Sequence, residues 1–172
     1  TYFRISEERD SYSVAKMMSE FYVKLFTKKI GSNFLIIRIF NVYGKGMIGS
    51  KYGQVIPEFI QRLKNGEYPL KIIGDGRHTR SFCHISDHVN LTLKLINKGI
   101  KNEVINLGSN EEISIKELAE LIMRIMGLKP SFKFLKERKG DHLRRCADIT
   151  KLLNLIGEYD FLSLNEGIKK SI

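Results

Sequence analysis

Tyr12 and Lys16 stand four residues apart in a stretch whose apolar spacing predicts a helix, so both side chains project from one face. An ammonium held beside a phenol favours the phenolate and makes a tyrosine usable as a general acid and base. The pair alone is weak evidence. With 7 tyrosines and abundant lysine, one such spacing is expected by chance, and a solvated surface pair has the same pattern. His84 and His88, with Asp87 between them, invite a metal reading, but they lack a complete ligand set and no metal is expected. Gly44-Lys-Gly46-Met-Ile-Gly49 has the glycine spacing of a dinucleotide-binding fingerprint and follows a predicted strand. A fingerprint opens directly into a helix stacked on its strand, whereas Ser50 to Gln54 carries no apolar stripe. The expectation is therefore a flexible loop beside a substrate site.

The elements that must position these residues alternate between helix and strand, which is an α/β pattern. Val14, Met17, Met18, Phe21, Leu25 and Phe26 recur at helical spacing from Tyr12 to Thr27, after candidate caps at Asp10 or Ser11. Phe34 to Phe40 is apolar nearly throughout and predicts a buried parallel strand. A helix is expected to open near Pro57 and close before Gly66, with short strands at Leu70 to Ile73 and Ser81 to Ile85 around a Gly74-Asp75-Gly76 turn. Ser86 to Asn97 predicts a helix and Val104 to Leu107 a strand. Ser114 and Glu117 form a capping box for a helix to Met126, stopped by Gly127. Asp148 is expected to cap Ile149 to Leu155, and Ser163 with Glu166 repeats the capping-box spacing before a last short helix.

With 172 residues, 42% hydrophobic and 28% charged, the composition is that of a globular domain. Apolar runs such as Phe34 to Ile37 are broken long before the ~20 residues that span a bilayer, and Thr1 to Asp10 is charged rather than signal-like. A cytoplasmic location without membrane attachment is expected. Cys83 and Cys146 lie far apart without metal-ligand spacing and read as structural thiols. The net charge of +10 attracts anions without choosing among them, since the lysines are scattered along the chain.

Seven segments in order carry a family resemblance. Tyr12-Ser-Val-Ala-Lys16 and Arg38-Ile-Phe40-Asn41-Val-Tyr43-Gly44 are followed by Val55-Ile-Pro57-Glu-Phe59 and Ile73-Gly74-Asp75-Gly76 with Thr79-Arg80-Ser-Phe82-Cys-His84-Ile-Ser-Asp87. Ile105-Asn106-Leu107-Gly108, then Arg138-Lys-Gly140-Asp141 and Arg145-Cys-Ala-Asp148-Ile149, complete the series. The chain thereby resembles the C-terminal half of NAD-dependent nucleotide-sugar epimerases and dehydratases, members of the extended short-chain dehydrogenase/reductase family. Two positions depart from the usual pattern: Ser81, where many members have aspartate, and Lys45, where many have proline.

The resemblance implies the C-terminal part of a Rossmann-like doubly wound parallel sheet plus a small mixed α/β substrate-binding domain. Residues 1–50 would give the catalytic helix and following strand. Residues 51–172 would form mainly the nucleotide-sugar-binding part, with 86–108 returning to the sheet. Tyr12 would take the proton of a sugar hydroxyl while hydride passes to NAD, and Lys16 would lower the phenol's pKa and bind the nicotinamide ribose. Phe40 would lie on the cofactor side and Asn41 near the sugar diphosphate. Val55, Ile72 and Ile73 would enclose the base, Arg80 and Arg138 would hold the diphosphate, and Asp141 the ribose. The family's Gly-rich loop and the hydroxyl residue assisting Tyr12 are expected upstream of Thr1, so residues 1–172 alone should turn over little substrate. The expected partners are a nucleotide-diphosphate sugar and either a second copy or the N-terminal half. From the residues themselves two other readings stay open: a catalytically silent sugar-nucleotide-binding domain, and a basic nucleic-acid-binding module, for which no recognition signature is found.

Overall fold

The structure, a computed structural model, describes residues 10–49, 54–137 and 143–172. In chain order the elements are α1 (Asp10–Lys29), β1 (Leu35–Ile39), β2 (Val42–Tyr43), α2 (Val55–Lys64), β3 (Leu70–Ile73), β4 (Thr79–Ser81), β5 (Cys83–His84) and α3 (Ile85–Asn97). They continue as β6 (Glu103–Leu107), β7 (Glu112–Ser114), α4 (Ile115–Ile125), β8 (Phe132–Leu135), β9 (Arg144–Arg145), α5 (Thr150–Ile156) and α6 (Leu164–Ser171). The α/β class and the Rossmann-like parallel pairing expected from the sequence are what is observed: β1 lies parallel to β6 with Leu35 opposite Glu103 and Ile39 opposite Leu107.

Two apolar cores form. In the first, Leu35 and Ile37 of β1 and Ile105 and Leu107 of β6 meet Leu91 and Leu95 of α3 and Leu152 and Ile156 of α5. In the second, Ile56, Phe59, Ile60 and Leu63 of α2 pack with Leu70 and Ile72 of β3, Leu118, Ile122 and Met123 of α4, and Ile168 of α6. The parallel pair β2 and β5 joins them, because Tyr43 sits in the second core and Cys83 in the first. Asp87 adds a polar tie. This buried carboxylate accepts from the Tyr159 hydroxyl and the Leu162 N–H, both at 3.0 Å, and so pins the chain running from α5 to α6.

Several local expectations need correction. β1 is not a buried strand: Leu35 to Ile37 are half-buried, while Arg38 is exposed with its guanidinium on Glu20 of α1, and Ile39, on the opposite face, is left uncovered by the described residues. α2 opens at Val55 after Gln54 in a left-handed conformation (φ 69°), so Pro57 falls inside the first turn, where its missing N–H costs no helical bond. The strand expected over Ser81 to Ile85 is split at Phe82, and Ile85 already belongs to α3. Asp10 and Ser11 lie within α1 rather than capping it. Ile149 occupies the cap position of α5, with the Asp148 carboxylate accepting from Thr150 N–H at 3.0 Å. The Ser114–Glu117 box is formed in both directions, and Ser163 accepts from Glu166 N–H.

Candidate active site

In an open parallel sheet, ligands bind outside the carboxyl ends of the strands. Here those ends are Phe40 and Asn41 after β1 and Gly108 after β6. They are in close contact: the Phe40 N–H donates to the Leu107 carbonyl at 3.0 Å, and a Cβ on Gly108 would lie 2.9 Å from the Phe40 Cβ. Asn41 turns the chain with φ 31°, donates from Nδ2 to the Ser81 carbonyl at 2.8 Å, and accepts on its own carbonyl from Cys83 N–H. It is the corner joining β1 to β4 and β5, which suits asparagine's tolerance of positive φ.

Tyr12 and Lys16 lie on the N-terminal half of α1, both exposed, with the Lys16 ammonium 5.5 Å from the centroid of the Tyr12 ring. Glu20 follows one turn later, where Arg38 grips it with two bonds, Nε to Oε1 at 2.6 Å and Nη2 to Oε2 at 2.8 Å. That guanidinium holds the Glu20 carboxyl below the usual carboxylate range against a smaller opposing effect of burial. Helix rise places Tyr12 about 12 Å along the axis from Glu20. The direction is toward the carboxyl end of β1, because α1 runs into β1 through a reversal at 30–34.

Arg80 is half-buried at the centre of β4, which runs between antiparallel β7 and parallel β9. Its Nη1 donates to the Thr79 carbonyl at 2.8 Å. Its register partner is Arg145, a residue that the resemblance gave no role. Register partners on paired strands project to the same face, so Arg80 and Arg145 lie on one side of this sheet, and guanidinium forks are the groups suited to a diphosphate or carboxylate. The neighbouring Arg144 faces the other way and binds Glu112 at 2.8–3.1 Å, while Glu112 also accepts from the Thr79 hydroxyl. Glu112 is thereby held down to about 2, chiefly by Arg144 and then by Thr79. The alternation of an Arg-Arg pair in a strand is the signal that distinguishes these two residues.

Val55 is the half-buried first residue of α2, and Ile73 is half-buried at the end of β3. Ile72 is 1% exposed in the second core, on a strand whose backbone is paired with β8. Arg138 and Asp141 lie outside the described residues. On either side, Glu137 meets the His78 ring at 3.0 Å and the Leu143 carbonyl accepts from Thr79 N–H at 2.8 Å, so both flanks converge on the strand that carries Arg80.

Four further titratable groups, His84, His88, Cys83 and Cys146, are buried or half-buried. His84 Nδ1 accepts from Ser86 N–H as the cap of α3, and burial lowers its pKa. Burial pushes the Cys83 thiol up to about 12 and also raises Cys146, which has the Glu112 carboxylate beside it. His88 is buried with no partner on Nε2. Of the decoy glycine loop, Gly49 abuts the Glu58 backbone 2.7 Å from a would-be Cβ, inside the first turn of α2. No helix among the described residues is long and apolar enough to cross a membrane.

Comparison with known proteins adds an independent line. Residues 3–108 match the model of the NAD dependent epimerase/dehydratase family. UDP-glucuronic acid decarboxylase 1 of Danio rerio is 35% identical over 164 residues, covering 95% of this chain and 38% of that protein. Among solved structures, UDP-glucose 4-epimerase of Thermotoga maritima with UDP-glucose superposes with a TM-score of 0.82 at 31% identity, over 93% of this chain and 51% of that one. UDP-glucuronic acid 4-epimerase of Bacillus cereus, in complex with UDP-glucuronic acid and NAD, gives 0.81 at 30% identity, over 93% and 50%. The chain spans about half or less of the length of the curated relatives it matches.

Proposed function

The chain belongs to the NAD dependent epimerase/dehydratase family, and from that premise we propose that the protein carrying it converts a nucleotide-diphosphate sugar by transient oxidation of the sugar ring. The observation that carries this reading is the exposed Tyr12 and Lys16 one turn apart on α1, with the ammonium 5.5 Å from the centroid of the phenol ring. An exposed phenol and ammonium one turn apart fit the hydroxyls of a sugar and of a nicotinamide ribose. NAD, when bound, would accept the hydride. Tyr12 would accept the sugar hydroxyl proton on its phenolic oxygen, and Lys16 would donate to the ribose and hold positive charge beside the phenol. Arg80, together with Arg138, would neutralise the diphosphate, with Asp141 on the ribose and Val55 and Ile73 around the base. Epimerisation, elimination and decarboxylation all begin with the same oxidation, so this half of the site serves any of them.

The apolar side chains exposed on α1, among them Met17, Phe21 and Phe26, fit burial against the N-terminal half or a second copy. The test uses the full-length protein with uridine- and thymidine-diphosphate sugars and NAD. Tyr12→Phe should lower kcat on the order of 10²–10⁴-fold, while Arg80→Ala should weaken nucleotide-sugar binding seen by calorimetry. Full turnover by Tyr12→Phe would sink the assignment. Binding without any turnover by the unaltered protein would favour a silent binding domain instead.

A further inference from the structure

We propose that the Glu20–Arg38 pair is a positioning device that sets the rotation of α1 about its axis and so aims Tyr12 and Lys16 at the carboxyl ends of β1 and β6. It rests on the reading of Tyr12 and Lys16 as the proton-transfer pair, and it concerns residues to which that reading gives no task.

Tyr12, Lys16 and Glu20 are spaced by four, so each successive residue is turned by about 40° and the three share one side of the helix. The same helix leaves Met17, Met18, Phe21, Tyr22, Leu25 and Phe26 exposed among the described residues, and apolar contact, here or with whatever covers that face, is non-directional and does not set the rotation closely. The bidentate bond from Arg38, at 2.6 and 2.8 Å, does. A single bond would let the helix roll around it, whereas a planar fork on a carboxylate defines an orientation. The other end of the tie is equally well placed. Arg38 lies in β1 opposite Asn106 of β6, and it is separated only by Ile39 from Phe40, where the strand end reaches the site. One ion pair thus references the catalytic side chains to the strands that deliver Phe40 and Gly108.

The leverage is large. A roll of about 20° on a helix of roughly 5–6 Å radius with its side chains moves a side-chain end by about 2 Å. Misplacement of about 1 Å can cost on the order of 10²-fold in rate. Loss of the fork should therefore lower kcat by about 10–100-fold and leave KM for the nucleotide sugar within about 3-fold, because Arg80 stands on a different strand.

The experiment uses the full-length protein with four variants: Arg38→Lys, Arg38→Met, Glu20→Gln, and the exchange Glu20→Arg with Arg38→Glu. Lysine keeps the charge and loses the fork, so it separates orientation from simple charge. Two readouts are taken, kcat against KM and the ¹⁹F resonance of 3-fluorotyrosine placed at position 12. Arg38→Lys is expected to lower kcat at constant KM and to shift or broaden the Tyr12 signal, with melting temperature near that of the unaltered protein. The exchange variant is expected to recover most of both. An unchanged ¹⁹F resonance in both Arg38→Lys and Arg38→Met overturns the proposal whatever the turnover does. A loss matched by an equal rise in KM also overturns it. If the unaltered protein turns over no nucleotide sugar, the proposed function fails by itself and the fluorine signal still judges the ion pair.

Discussion

Substituting Gly167 by alanine perturbs the junction between the two cores at a single atom. Gly167 is buried in α6, and the Cβ that alanine adds would fall on the Tyr43 hydroxyl, with the Tyr43 Cζ 3.0 Å and the His84 Cδ2 3.3 Å away. Tyr43 is 2% exposed and cannot swing outward, because Phe82 and His84 pack edge-on at centroid distances of 6.4 and 5.3 Å. Overpacking of this kind costs about 1–3 kcal/mol, offset by roughly 0.5–1 kcal/mol that alanine gains over glycine in a helix. The net expectation is a loss of about 1–2 kcal/mol. That corresponds to a fall in Tm of about 2–8 °C at roughly 2–4 °C per kcal/mol. Tyr43→Phe removes the oxygen that clashes, so in that background Gly167→Ala should cost less than about 1 kcal/mol, leaving only the tighter contact with Cζ. The assay is urea unfolding of both single variants and the double variant, and the coupling should exceed the ~0.5 kcal/mol scatter of independent sites. A neutral Gly167→Ala, or a double variant equal to the sum of its singles, would refute the steric argument.

Asp87→Ala should destabilise by about 2–3 kcal/mol, since it strands the Tyr159 hydroxyl and the Leu162 N–H; amide exchange at Leu162 should quicken, and an unchanged rate there would count against the tie. Glu67 is held at about 2, first by its hydrogen bond from Arg62, so its contribution to stability is complete above about pH 4.5 and is lost as pH falls toward 2. Glu67→Gln should therefore flatten the acid limb of a stability–pH profile in that window, and an identical limb would discard the idea. Ser114→Ala should cost about 1 kcal/mol through loss of its half of the capping box, checked by the denaturation midpoint.

The parts of this fold that were legible in the sequence are those in which one residue type has one local use. Ser114 and Glu117 form a cap whatever lies nearby, and Gly127 takes φ 74° where the α4 helix ends. What depends on the other side of an element was not legible. Leu70, Lys71 and Ile72 alternate apolar, polar and apolar, which sends Leu70 and Ile72 to one inner face against α2 and α4, but the spacing does not say what meets Ile73 on the other. Phe34 to Phe40 reads as buried on both faces, yet Ile39 is 61% exposed; its apolar character belongs to a surface that the described residues do not supply. Gln54 in a left-handed conformation carries no sequence signal at all, because a non-glycine residue adopts it only under tertiary constraint. Arg145 belongs to one of the segments that carry the resemblance, but only the strand register sets it opposite Arg80.

Ser81 shows why a departure from a family pattern need not disturb a site. Serine there is 1% exposed, accepts from the Ala147 N–H at 3.1 Å through its hydroxyl, and accepts from Asn41 Nδ2 at 2.8 Å through its carbonyl. A hydroxyl is enough for one N–H donor, and it avoids placing a second carboxylate in a buried position where desolvation disfavours charge. Ala147 in turn lies 3.1 Å from a would-be Cβ on Gly108, whose other neighbour is Phe40. The small residue at 81 therefore connects, through two hydrogen bonds and one packing contact, the asparagine corner, the Arg80 strand and the ends of both parallel strands. The geometry that assembles these residues rests on backbone partners, and a side chain that satisfies the same donor can replace another without moving Arg80 or Phe40.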